Sequence, residues 1–428
     1  MRRPSISVED WRARVVDPIL LGSLFFTLVH AWILTFYYQV PYNLRIGWVP
    51  VDGSQSLGSS YSFGVHYFSD YTFTHILTLE KAPWDSAITI YPPLTMLFVK
   101  AFDSNPARNG LFVFLYLGVL FSLTPLIHAT FRRPLKEVFF LVGFCGIASA
   151  GLIAAFDRGN PILFLAPLIY FAYDRMTKNK DTSAGFLLGL AISIKIYPIL
   201  LLPLLLMRRK FKVAIVAAVT FIVGNFLAAL VWGNPLSIFR NFYHNINGFG
   251  SSSMIGDPTF MSATEITGNL ARALHLESNR VLAVALNHPM FLSASLFVLI
   301  VVACIDSPLS EIFLFGLITM ELIPLRSFSY TRVWTLAAAA ILISLEKLRR
   351  DASTEELGTN ADLSARSYKL WWIVVVLFTT PFTIFFLGNS LAVLVGFCVF
   401  LYLLALNIFA KVPILIKRLQ KSRLGALG

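Results

Sequence analysis

Apolar runs long enough to cross about 30 Å of hydrocarbon recur from one end of this chain to the other. Residues of about 18–40, 110–130, 137–156, 160–174, 213–233, 288–305, 309–326, 333–348, 369–388 and 390–410 each read as a span. Only 14% of the 428 residues are charged, where soluble domains carry about a quarter. The pattern predicts an all-α polytopic membrane protein, with residues 1–428 forming a single integral-membrane unit.

The net charge of +12, from 35 Lys and Arg against 23 Asp and Glu, would suggest a nucleic-acid partner in a soluble protein. Here the cations gather at span ends. The clusters are Arg2, Arg3, Arg12 and Arg14; Arg132, Arg133 and Lys136; Arg208, Arg209, Lys210 and Lys212; Lys347, Arg349 and Arg350; and Lys417, Arg418, Lys421 and Arg423. Such clusters mark cytoplasmic loops and set orientation, so nucleic acid is set aside. Cys145, Cys304 and Cys398 all fall in apolar runs and give neither a disulfide framework nor zinc spacing. The first apolar run is too long for a signal-peptide core and reads as an uncleaved anchor.

The stretch 184–207 does not fit a simple crossing. Lys178 and Lys180 precede it, Arg208 to Lys212 follow it, and Lys195-Ile196-Tyr197-Pro198 interrupts its middle. A re-entrant helical hairpin satisfies both basic flanks, and a single Pro-kinked helix is the alternative. Irregular backbone at that depth is tolerated only inside protein or beside a wet cavity, so a hairpin should line one. With the hairpin not counted as a crossing, about ten transmembrane helices place both basic termini in the cytoplasm. Two outer loops, about 41–109 and 234–287, then carry much of the polar chemistry on the other side. Residues 92–102 are apolar but too short to span, and read as a helix at the interface.

Asp70, in Tyr67-Phe68-Ser69-Asp70-Tyr71, is the acid of the first outer loop best placed to act beside a membrane-facing cleft. A carboxylate there can take the proton of a sugar hydroxyl. If the leaving group is a phosphate it needs little acid help, so one carboxylate suffices where a glycosidase needs two. A solvated acid or a helix cap is the plainer reading, and His66, His75, Glu80 and Asp85 share the loop. Arg158, in Asp157-Arg158-Gly159-Asn160, can grip a phosphate with a forked pair of hydrogen bonds, or pair with Asp157. Lys195 lies in an apolar run, where a charge faces a cavity or a partner such as Glu321. Arg332, with Arg326 across a polar turn, and Arg272 in the second outer loop are further phosphate candidates. His244 and Asn247 are weaker substrate candidates. No Walker loop, no GxGxxG after a strand and no HExxH is present, so neither ATP drive nor a metal pair is expected.

Several of these pieces stand together. Ser69-Asp70-Tyr71, Tyr91-Pro92-Pro93-Leu94, Asp157-Arg158-Gly159-Asn160, and Ala184 to Ile194 leading into Lys195-Ile196-Tyr197-Pro198 with Arg208-Arg209 beyond follow one another over about 40–212. In this order they resemble the multi-span GT-C glycosyltransferases that use polyprenyl-phosphate mannose, the α-1,2-mannosyltransferase group that includes the phosphatidylinositol-mannoside enzymes. The resemblance implies a GT-C-type fold, a polyprenyl-phosphate sugar donor and an inverting single displacement onto a lipid or glycan acceptor. It implies Asp70 as base and Arg158 and Lys195 as phosphate holders. His66, Tyr91 and Asn160 are expected as substrate contacts, with no cofactor and no metal. A lipid flippase or transporter would use the same intramembrane charges and broken helices. It would also show repeat symmetry, which the chain lacks. The absence of Asn-x-Ser/Thr sites points to a bacterial plasma membrane, with the site facing outward.

Overall fold

A computed structural model describes residues 11–18, 21, 69–81, 83–85, 89–102, 107–251, 263, 266–267, 289–324, 332–351, 364–379, 385–386 and 389–425. The chain folds as an all-α polytopic membrane protein. Among the described residues, Gly110–Ala129, Phe211–Ala229 and Val395–Pro413 are long and apolar enough to cross a membrane. The expected first span, 18–40, lies almost wholly outside the described residues.

In chain order the helices are α1 (Ser69–Leu79), α2 (Pro93–Lys100), α3 (Ala107–Ala129), α4 (Leu135–Leu141), α5 (Ala150–Arg158), α6 (Leu165–Thr177), α7 (Asp181–Ile194) and α8 (Leu201–Met207). They continue as α9 (Phe211–Ala229), α10 (Pro235–Ser251), α11 (Pro289–Ala303), α12 (Leu309–Leu322), α13 (Trp334–Asp351), α14 (Ala365–Thr379) and α15 (Leu391–Gly425). The pair Phe385–Phe386 and Asn389–Ser390 forms a two-residue antiparallel bridge before α15.

Two expected spans are interrupted. The run 137–156 divides into α4, a π-turn Val142–Ile147 and α5. Gly143 and Gly146 weaken the helix there, and Ser149 opens the next one by accepting the Leu152 N–H at 3.3 Å. The run 160–174 begins as a 3₁₀ turn, Pro161–Phe164, ahead of α6. Pro161, lacking an N–H, suits the first position of that turn.

The 184–207 stretch does reverse. Helix α7 stops at Lys195, which is extended (φ −149°, ψ 135°), and Pro198 sits in the 3₁₀ turn Tyr197–Leu200 that leads into α8. The chain then returns to where α7 began, since Lys210 Nζ lies 3.1 Å from Asp181 Oδ1. Helix α9 next runs alongside α7 in the same direction. The two backbones meet at Gly185 and Gly189, where an added Cβ would come within 2.7 Å of the Val213 carbonyl and 2.6 Å of the Ala217 carbonyl. This is the small-residue contact by which membrane helices approach closely.

A buried polar bracket ties α2 to this unit. The Leu94 N–H donates to Asn225 Oδ1 at 2.9 Å, and Asn225 Nδ2 donates to Ser193 Oγ at 3.0 Å. Thr95 also donates to the Ser193 carbonyl. The start of α2 is thereby pinned to the end of α7, next to Lys195. Behind them, α12 is buried from Ser310 to Leu322, and α13 from Trp334 to Leu342. Helices apolar on every side belong inside a bundle.

Candidate active site

Asp70 lies in the first turn of α1, where the helix dipole favours a negative charge. Helix α1 is set by Tyr71, which donates to the Phe102 carbonyl at 3.3 Å and packs on Phe114. Across from it α5 ends in a Schellman turn. Gly159 N–H reaches Phe156 O and Asn160 N–H reaches Ala155 O, both at 2.9 Å. Gly159 takes φ +62°, a region glycine enters without strain. The turn aims Arg158 and Asn160 at the same point.

That point is the Asp70 carboxylate. Arg158 Nε donates to Oδ2 and Nη2 to Oδ1, each at 3.1 Å, as a forked pair. Asn160 Nδ2 donates to Oδ2 at 2.6 Å and lies 3.0 Å from the Tyr91 hydroxyl. The amide orientation is fixed by its other end, because Asn160 Oδ1 accepts the Ile162 N–H at 2.9 Å and caps the 3₁₀ turn. A carboxylate offers about four acceptor positions. Oδ2 uses both of its own, and Oδ1 keeps one beyond Arg158. The side chain is 15% exposed.

Tyr91 forms the adjoining wall. The loop before it is clamped from above by α10, whose Asn245 Nδ2 bonds the carbonyls of Trp84 and Thr89, each at 3.1 Å. Trp84 Nε1 donates to the Tyr91 carbonyl at 3.1 Å. Burial pushes the Tyr91 phenol well above its ordinary pKa, so it stays neutral. Lys195 Nζ stands 4.3 Å from the Tyr91 ring centre and 5.8 Å from that of Tyr197, over aromatic faces that attract a cation. Lys195 is 4% exposed, and its ammonium is within electrostatic reach of both Asp70 and Arg158.

An apolar groove of about 730 Å³ opens beside this cluster, lined by Leu94, Leu97, Phe98, Leu117, Phe121 and Ile194 among others. Its wall includes Ile194, the residue before Lys195, and Leu94, at the start of the helix that follows Tyr91.

The structure therefore brings together Asp70, Tyr91, Arg158, Asn160 and Lys195, which are spread over 126 positions of the chain. Arg332 is placed elsewhere. It is 2% exposed, with Nε 3.5 Å from Oε1 of the fully buried Glu321, which also accepts a hydrogen bond from Trp334. Glu321 is thus the partner of Arg332. His75 stacks on Tyr71, Asp85 accepts from Asn241 at 2.8 Å, and Glu80, His244 and Asn247 are exposed. His66, Arg272 and Arg326 lie outside the described residues. Among the described residues no group of three His, Cys, Asp or Glu side chains is arranged to hold a metal ion.

Asn225, Asn245 and Trp84 support the site and were not singled out from the chain. The one signal for Asn225 was an amide inside an apolar run, which needs a buried partner.

A family model described as glycosyltransferase family 87 matches residues 89–327, more than half of the chain. It takes in Tyr91, Arg158, Asn160 and Lys195, and begins after Asp70. No curated protein and no solved structure matches the chain.

Proposed function

The chain belongs to glycosyltransferase family 87 and is a membrane glycosyltransferase, and from that premise we propose that it moves a sugar from a polyprenyl-phosphate donor to a hydroxyl of a lipid or glycan acceptor. The reaction is a single inverting displacement on the non-cytoplasmic side. Mannose is the sugar favoured by the resemblance of the 40–212 segment to polyprenyl-phosphate-mannose enzymes.

The reading rests on one observation. A partly exposed carboxylate, held by Arg158 and Asn160, sits within electrostatic reach of a buried ammonium whose residue directly follows the wall of an apolar groove. The groove suits an isoprenoid chain, as concave apolar sites with few polar groups suit a lipid. Lys195, which follows the groove-wall residue Ile194, meets the donor phosphate, and Arg158, paired with Asp70, adds positive charge. The acceptor hydroxyl gives its proton to the open position on Asp70 Oδ1. Its oxygen attacks the anomeric carbon, the bond from that carbon to the phosphate oxygen breaks, and the electron pair leaves with the phosphate. The charge growing there is stabilised by cations already in place. Asn160 and Tyr91 fix the carboxylate and the ammonium relative to each other. Arg332 keeps Glu321 as its partner in this scheme. His66 and Arg272 are reserved for contacts with the acceptor and the outer phosphate oxygens.

Purified protein in lipid nanodiscs, incubated with a panel of polyprenyl-phosphate sugars, tests this. The expected result is consumption of one donor, release of polyprenyl phosphate and a glycoside of opposite anomeric configuration. Translocation of the lipid across the bilayer without cleavage of any donor would contradict it.

A further inference from the structure

At the end of the bundle opposite Lys195 a second pocket, of about 410 Å³, opens between the turn joining α8 to α9 and the turn joining α11 to α12. It is lined by Met207, Arg208, Arg209, Cys304, Ile305 and Asp306. Helix α7 is 14 residues long, which separates this level from the Lys195 level by about 21 Å.

Three features describe this pocket. First, among the described residues neither the Arg208 nor the Arg209 guanidinium has a hydrogen-bond or ion-pair partner, whereas neighbouring Lys210 is bound to Asp181. Second, helix α8 ends in a Schellman turn. Arg209 N–H reaches Leu206 O at 2.9 Å and Lys210 N–H reaches Leu205 O at 3.0 Å, with Arg209 at φ +57°. Glycine is the usual residue at that position, so the chain holds an arginine where the backbone favours none. Third, the pocket borders apolar surface. Leu206 is 42% exposed, Met207 37% and Phe211 53%, a surface suited to acyl chains.

With two arginines against one acid the lining is basic, which suits an anionic phosphate headgroup. Basic pockets between membrane helices on the Lys- and Arg-rich side take lipid headgroups. We propose that this pocket binds the phosphodiester headgroup of an anionic phospholipid in the leaflet away from the sugar-transfer site. Arg208 and Arg209 grip the phosphate, while the acyl chains lie along Leu206, Met207 and Phe211.

Native mass spectrometry of the full chain, titrated with dioleoyl-phosphatidylglycerol or dioleoyl-phosphatidylcholine, tests the proposal without any transfer assay. Arg209→Gly relieves the backbone rather than straining it, so the Arg208→Gln/Arg209→Gly protein keeps its fold. It should lose phosphatidylglycerol affinity roughly tenfold, because charge-assisted phosphate contacts are the strong ones. Lys180→Gln/Lys212→Gln, an equal loss of two charges outside the pocket, should bind as the parent does. Undiminished binding by the Arg208/Arg209 variant, or an equal loss in the Lys180/Lys212 variant, would overturn the site. Soluble glycerophosphoglycerol binding as tightly as the lipid would overturn the lipid assignment.

Discussion

The Asp70–Arg158 and Glu321–Arg332 pairs each join an arginine to a carboxylate inside a membrane protein, but their surroundings differ. Asp70 and Arg158 side chains are 15% and 17% exposed, and the carboxylate carries a further bond from Asn160. Glu321 and Arg332 are 0% and 2% exposed, under α13 and its Trp334. The first pair is open on one side and the second is sealed. In the sealed pair both charges are shut away from water, so removing one takes away an ion-pair partner that solvent cannot replace. In the open pair water and substrate can replace a missing partner, so removal harms chemistry more than folding.

The sealed pair gives the largest expected effect on stability. Arg332→Met should cost about 3–5 kcal/mol by stranding the Glu321 charge, read as a fall in the unfolding midpoint in detergent. Adding Glu321→Leu should recover most of the loss. Unchanged stability in the single variant would erase the distinction between the two pairs. Arg158→Met should move stability by no more than about 1 kcal/mol, as expected for a partly exposed pair. It should slow transfer by roughly 10²-fold, because a misplaced reacting group costs that much. A large loss of stability with transfer intact would show the open pair to be structural after all. Asn160→Ala is expected to be milder. Loss of its cap should cost about 1 kcal/mol, and loss of the 2.6 Å bond to Asp70 should slow transfer roughly tenfold, the weight of one bond to a charged group. The smallest effect on transfer belongs to Glu321→Gln, whose rate should match the parent at a temperature where the variant stays folded.

How far the chain itself announced this arrangement depends on the kind of interaction. Hydropathy over 110–130 and 213–233 marked helices that the structure contains, because crossing lipid demands a continuous apolar run. The reversal at Lys195 was signalled by basic residues on both flanks and by Pro198. The break at 142–147 was not signalled, since hydropathy runs evenly through Val142-Gly143-Phe144-Cys145-Gly146-Ile147 while glycine spacing changes the helix geometry beneath it. Asp70, Arg158 and Lys195 stood out as charges beside or inside apolar sequence. That Arg158 would face Asp70 and not Asp157 was hidden, because the partners are 88 residues apart and only the Gly159 turn aims one at the other. The same holds for Arg332, whose acid lies in the preceding helix. A charge announces itself in sequence, whereas its partner is chosen by packing.

Single-turnover transfer by the parent protein and by Asp70→Asn, in nanodiscs with saturating donor and with donor binding measured on the same samples, bears most directly on the role of the open carboxylate. Asparagine keeps the shape and can still accept from Arg158, but it cannot take the acceptor proton. The account predicts donor affinity within about threefold of the parent and transfer slower by about 10²–10⁴-fold, the range general-base help supplies. Transfer at the parental rate, or a loss explained wholly by weaker donor binding, would contradict it.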